Sequence, residues 1–296
     1  MPRIALCLCT LFFAGTATAQ RVPGRDLLTY PLGLTGEPAA LSSGSGSGLW
    51  NPATAVLEGA DHARLGAAAL SAPIDLGLSG QEVHGALAVR GIGTFSLGIA
   101  HAAVTDLLHT DTDPQSVGDE IPYNTVLLSE GYARRVQRHV VVGAAVRAHN
   151  GDVEGRSATD ITTDGGLMID GLTPFDARVA VSSFLWTASG NDAPVFSAAG
   201  DVRVVGPDSA HAVRAGLGYV ATRDATIERY PYLDGRLGAL TVRGGPVRTS
   251  AFGTSTWRMR LGLTVQHGGY TIGIAREDNE GGLSPTYQLS IAAVYR

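Results

Sequence analysis

The chain has 296 residues, 44% of them hydrophobic, which is enough for one large domain or two small ones with apolar material to bury. Only 17% are charged, the 39 glycines exceed the share of about 7% usual in proteins, and all 22 basic residues are arginine. Apolar content with a net charge of only −5 excludes disorder, and the acidic balance excludes a nucleic-acid binder that works by neutralising phosphates.

Met1 to Ala19 reads as a secretory signal peptide. Arg3 is the positive flank, Ile4 to Gly15 the apolar run, and Ala17-Thr18-Ala19 a small-residue site that predicts cleavage before Gln20. The apolar run is shorter than the roughly 20 residues a spanning helix needs. Cys7 and Cys9 both fall inside it, so the exported chain is expected to carry no cysteine. Residues 20–61 follow, Gly/Ser-rich from Gly36 and ending in Asn51-Pro52-Ala53 before any regular pattern begins.

From residue 62 onward the recurring signal is apolar alternation of period two over about ten residues, bounded by Gly, Pro, Asp and Asn. It is clearest in Thr256 to Gln266, where Trp257, Met259, Leu261, Leu263 and Val265 share one face. Arg138 to Ala148, Pro174 to Phe184, His211 to Val220 and the last ten residues repeat it. Further strands are expected over 62–71, 82–90, 94–103, 124–134, 195–205 and 269–276. The alternation is least regular in 159–170, 225–232 and 234–243. The segments number fourteen, an even count as an exported barrel requires.

A soluble sheet also alternates, with its apolar face inward. Three features favour a closed transmembrane sheet instead. Lysine is absent, and charge is sparse on the apolar face. Small residues, many of them glycine, stand opposite it, as a crowded lumen needs. The chain ends on an alternating strand with Tyr287 and Tyr295 on the apolar face. In lipid every backbone polar group must be paired internally, which a closed sheet achieves. The expected fold is therefore all-β, a single antiparallel transmembrane β-barrel of about 14 strands.

Gly36 to Ala53, with its small-residue run into Asn-Pro-Ala, resembles the N-terminal segment of the FadL/PorV/PorQ superfamily of outer-membrane barrels. Ser129-Glu-Gly-Tyr-Ala-Arg-Arg followed by Val140 to Arg147 resembles a strand pair of that family. Asp164 to Ile169 followed by Ala177 to Ser183 resembles the next pair. Thr54-Ala55-Val56 departs from the Gly-Leu that often follows Asn-Pro-Ala there, and the length is closer to PorQ-like members than to the fatty-acid transporters. Beyond the signal peptide over 1–19, the resemblance implies a plug over 20–61 and a barrel over 62–296. It also implies that Trp50, Asn51, Pro52 and Ala53 are plug residues that bind. Physically, Pro52 keeps Asn51 out of a helix, and the Asn51 side chain can lock a turn onto the local backbone. The competing reading of 20–61 is a flexible export linker.

No sequence pattern supports catalysis. Gly-x-Ser-x-Gly is missing, and the eight histidines never fall at zinc-binding spacing, so no enzyme activity, cofactor or metal is expected. The acidic runs 109–113, 119–120 and 277–280 read as solvated turns, with calcium as the alternative. Arg64, Arg147, Arg178, Arg214, Arg258 and Arg260 fall on the polar strand face, with Glu82, Asp176 and Asp201 nearby in pattern. They either capture an anionic group such as a carboxylate, or form a ladder of ion pairs that packs a narrow barrel.

The resemblance implies a monomeric outer-membrane protein that passes small hydrophobic or amphipathic molecules through a plugged lumen. Its surroundings would be outer-membrane lipid and a small hydrophobic ligand, with no nucleic acid and no cofactor. The alternatives are a PorV/PorQ-like accessory of type IX secretion that binds secretion-system proteins, and a structural barrel without transport.

Overall fold

The computed structural model describes residues 22–72, 77–105, 107–108, 121–187, 194–206, 208, 210–222, 226–279 and 283–296. The acidic runs at 109–113 and 119–120 and the signal segment lie outside them. Fifteen strand segments follow one another among the described residues. They are β1 (Ala63–Ser71), β2 (Leu78–Val89), β3 (Gly93–Val104), β4 (Tyr123–Gln137), β5 (Val140–Val153), β6 (Arg156–Leu172), β7 (Ala177–Phe184) and β8 (Trp186–Thr187). After these come β9 (Val195–Val205), β10 (His211–Ala221), β11 (Ile227–Leu237), β12 (Leu240–Ala251), β13 (Thr254–His267), β14 (Tyr270–Glu277) and β15 (Thr286–Tyr295).

Apart from β8, consecutive strands pair antiparallel, with β7 paired to β6 and β9; β1 pairs with β15, and β5 pairs with β6 to close the ring. β7 and β8 both pair with β6 and are one stave interrupted at Leu185, whose φ is 58°. The fold is thus a closed antiparallel barrel of fourteen staves. Burial alternates with side-chain period two along the staves, as a pleated wall with two unlike faces requires. Leu65, Leu97, Val146, Val179, Trp257, Leu261, Ile272 and Leu289 are among the large apolar side chains left on the outward face.

The two ends differ. Two-residue turns at 138–139, 238–239 and 268–269 lie at the end where β1 begins and β15 finishes, and two more, at 154–155 and 252–253, at the other end. The longest connections, 105–122 and 278–285, lie at the opposite end.

Two expected boundaries are corrected. The strands expected over 225–232 and 234–243 are displaced: β11 runs on to Leu237, the turn is at Gly238 (φ 60°) rather than at residue 233, and β12 continues to Ala251. The Gly244-Gly245-Pro246 run resembles a turn in sequence but lies within β12. There the Pro231 carbonyl presses on Gly245, and a Cβ at that position would stand 2.0 Å from it. Pairing of β11 with β12 lapses between Arg229↔Arg248 and Leu233↔Gly244, the stretch that holds Pro231 and Pro246. Proline has no N–H for a ladder bond, which accounts for the lapse. Glu277 is also corrected: it is not in a solvated acidic turn but on the buried face of β14.

Candidate functional site: the occupied lumen

Residues 22–57 form short 3-10 turns and extended links rather than strands, and most are buried. Their partners are the inward side chains of the wall. Thr35 Oγ1 lies 2.9 Å from Ser290 Oγ, the Tyr230 hydroxyl donates to the Gly36 carbonyl at 2.9 Å, and Arg243 pairs with Glu37 at 3.1 Å. Ser182 Oγ donates to the Trp50 carbonyl at 3.0 Å, and the Leu57 N–H to Thr94 Oγ1 at 3.0 Å. Arg25 donates to the Leu185 carbonyl at the break between β7 and β8.

The wall makes room for this segment with glycine. A Cβ at Gly151 would stand 1.8 Å from the Pro23 oxygen, and one at Gly262 2.2 Å from the Thr35 oxygen. At Gly143 it would stand 2.3 Å from the Ala53 nitrogen, and at Gly166 1.9 Å from Asn51 Oδ1. Real Cβ atoms do not approach so closely, so these inward positions require the absence of a side chain.

The structure brings the four expected segment residues together. Asn51 is fully buried; its amide donates to the Ala40 carbonyl at 2.7 Å, and its Oδ1 accepts from the Ala53 N–H at 3.0 Å. Asn51 is thus the cap of the turn Pro52–Ala55, with Pro52 at its first position. Ala53 is fully buried. Trp50 donates from Nε1 to the Leu32 carbonyl at 2.7 Å and packs on Phe184 with ring centroids 5.0 Å apart.

The six lumen arginines have partners of two kinds. Arg258 and Arg260 share Glu228 and Glu277 in a closed quartet, with Arg258–Glu228 at 2.6 Å and Arg260–Glu228 at 2.9 Å. Arg214 bridges Asp201 at 2.8 Å and Asp176 at 2.9 Å, while Arg178 also holds Asp201, which accepts from the Tyr232 hydroxyl at 2.9 Å. Arg147 and Asp164 pair fully buried, with the guanidinium 4.7 Å from the Phe184 ring centre. Arg64 differs: it donates to the Ser47 hydroxyl of the inner segment at 2.5 Å. Glu82, expected among the acidic partners, is buried, and its Oε1 has no hydrogen-bond partner.

Two cavities flank the segment. One of about 390 Å³ lies toward the long connections and is lined by Tyr30, Leu34, Pro38, Trp50, Tyr230 and the Arg258–Glu277 quartet. The other, of about 420 Å³, lies toward the short turns and is lined by Thr35, Glu37, Arg64, Arg178, Arg214 and Arg243. The stretch from Leu34 to Pro38 contributes to both and stands between them. Burial raises the Tyr30 phenol above its ordinary value, so it remains a hydrogen-bond donor in the first cavity. Among the described residues, no three His, Cys, Asp or Glu side chains gather as a metal site.

Sequence reasoning missed Glu37, Glu228, Asp234 and Arg243. Glu228, Asp234 and Arg243 fall in the two stretches whose boundaries were misplaced, and correct alternation would have put all three on the inward face. Glu37 carries no such signal, since it sits in an irregular segment.

No family model and no curated protein matches the sequence. Solved structures align with this chain. The CymD monoaromatic hydrocarbon channel aligns with TM-score 0.58 and 14% identity, over 89% of this chain and 96% of its own. Omp33 of Acinetobacter baumannii aligns with TM-score 0.46 and 9% identity, over 80% of this chain and all of its own. Pseudomonas putida OprB aligns with TM-score 0.42 and 6% identity, over 79% and 91%.

Proposed function

We propose that this chain is an exported outer-membrane barrel of the FadL/PorV type, that residues 22–57 plug its lumen, and that displacing the plug opens a path for small hydrophobic or amphipathic molecules. The observation that carries the reading is the inner segment itself, which is anchored to the wall all round and separates two cavities. The fold shared with CymD, described as a monoaromatic hydrocarbon channel, supports passage of this kind. The cavity on the side of the long connections offers aromatic and aliphatic surface, and both of its arginines are neutralised by Glu228 and Glu277. Such a site suits an apolar body with at most one polar group. Nothing in this reading requires catalysis, a cofactor or a second subunit. Longer connections facing outward and tight turns facing the periplasm are the usual orientation of such barrels.

The test is uptake of a hydrophobic probe and single-channel conductance in liposomes, comparing the chain from Gln20 with one that starts at Leu57. Faster uptake or a new conductance in the shortened chain is expected. If both forms insert and neither conducts nor carries the probe, the barrel is a scaffold, and pull-down of secretion-system proteins becomes the relevant assay.

A further inference from the structure

We infer that the outward wall over β2–β6 holds an amine-headed phospholipid of the periplasmic leaflet, with Glu130 as the acceptor for its ammonium group. Glu130 faces outward on β4, between Leu128 and Tyr132 on the same face, and its cross-strand partners are Leu97 and Val146. Among the described residues it has no ion-pair or hydrogen-bond partner; both cross-strand partners are apolar, and Thr163 is the next outward residue beyond Val146.

Around it the wall is dented. Gly85 and Ala144 face outward and carry little or no side chain there. With Leu65, Leu97, Leu128 and Val146, this wall borders a groove of about 1260 Å³ that contains Glu130. A smooth apolar wall needs only fluid lipid. A dent with one carboxylate calls for a longer-lived occupant that fills apolar volume and also supplies a donor.

Depth selects the occupant. The Tyr132 ring packs on Phe95 with centroids 5.3 Å apart, and its hydroxyl donates to the Ile92 carbonyl at 2.6 Å, in the short turn between β2 and β3. That aromatic pair marks the edge of the apolar band on the turn side. Glu130 lies two residues further in, roughly 7 Å along the strand. From there its side chain can turn back toward the headgroup level, as long polar side chains do near an interface. A primary ammonium on the headgroup carries N–H donors and positive charge, and the attached acyl chains fill the groove above it. A quaternary ammonium carries the charge without the donors.

The inference rests on the barrel lying in a membrane, which heat-modifiable migration on unboiled gels tests independently. The experiment is native mass spectrometry of the protein titrated with phosphatidylethanolamine or phosphatidylcholine of identical acyl chains. The wild type is expected to retain phosphatidylethanolamine about tenfold more than phosphatidylcholine, the worth of one charge-assisted hydrogen bond. Glu130→Gln is expected to erase that preference, and Ala144→Phe, which fills the dent, to lower retention of both lipids. Equal retention of the two lipids by the wild type overturns the inference. So does unchanged selectivity in Glu130→Gln, or a doubled mass showing that this face binds a second copy.

Discussion

Asn51 and Gly166 meet at one of the points where the inner segment presses closely on the wall. Asn51 Oδ1 serves the Ala53 N–H while lying over a glycine that has no room for a methyl group. Replacing Asn51 with alanine removes both of its side-chain hydrogen bonds from a fully buried site, and each orphaned partner costs about 1–3 kcal/mol. Faster proteolysis within residues 22–57 is therefore expected, with the barrel itself still resistant. Gly166→Val acts from the other side of the same contact. The added side chain must expel the 51–53 turn, so its conductance in a bilayer should rise toward that of the chain lacking the segment. Unchanged proteolysis and unchanged conductance together would favour the export-linker reading of these residues.

At the scale of the strand, alternation alone located most of the wall. β9 runs over the 195–205 read from sequence, and the inward placement of Arg147, Arg178, Arg258 and Arg260 follows from their parity. Parity could not reveal partners. Glu228 and Glu277 come from strands that neighbour β12 and β13, and nothing along the chain links residue 228 to residue 260. The failure at 225–243 has a local cause. The real turn, Leu237-Gly238-Ala239-Leu240, is apolar, whereas Gly244-Gly245-Pro246, inside a strand, carries the punctuation of a turn. The quartet across these strands makes a definite prediction. Arg260→Met leaves the buried Glu277 and the half-buried Glu228 sharing Arg258, and loss of one member of a buried charged group costs about 3–5 kcal/mol. The temperature at which the folded gel band is lost should fall. An unaltered transition would mean that solvent in the adjoining cavity already compensates these charges.

Considered whole, the molecule is a wall whose two faces obey different rules. Outward, the side chains are large and apolar, as contact with hydrocarbon demands. Inward, glycine and paired charge replace them, since the wall must admit a second layer of chain and still satisfy its polar groups. That second layer decides function. If it is fixed, the barrel is a sealed scaffold; if it moves, the two cavities join. Thr35 Oγ1 and Ser290 Oγ lie 2.9 Å apart, close enough for paired cysteines to bond there. The only cysteines in the sequence, Cys7 and Cys9, precede the expected cleavage site. The most direct measurement is hydrophobic-probe uptake into liposomes by the chain from Gln20 carrying Thr35→Cys and Ser290→Cys, oxidised and then reduced. The plugged-lumen account predicts uptake blocked in the oxidised form and restored on reduction. Equal uptake before and after reduction would contradict it.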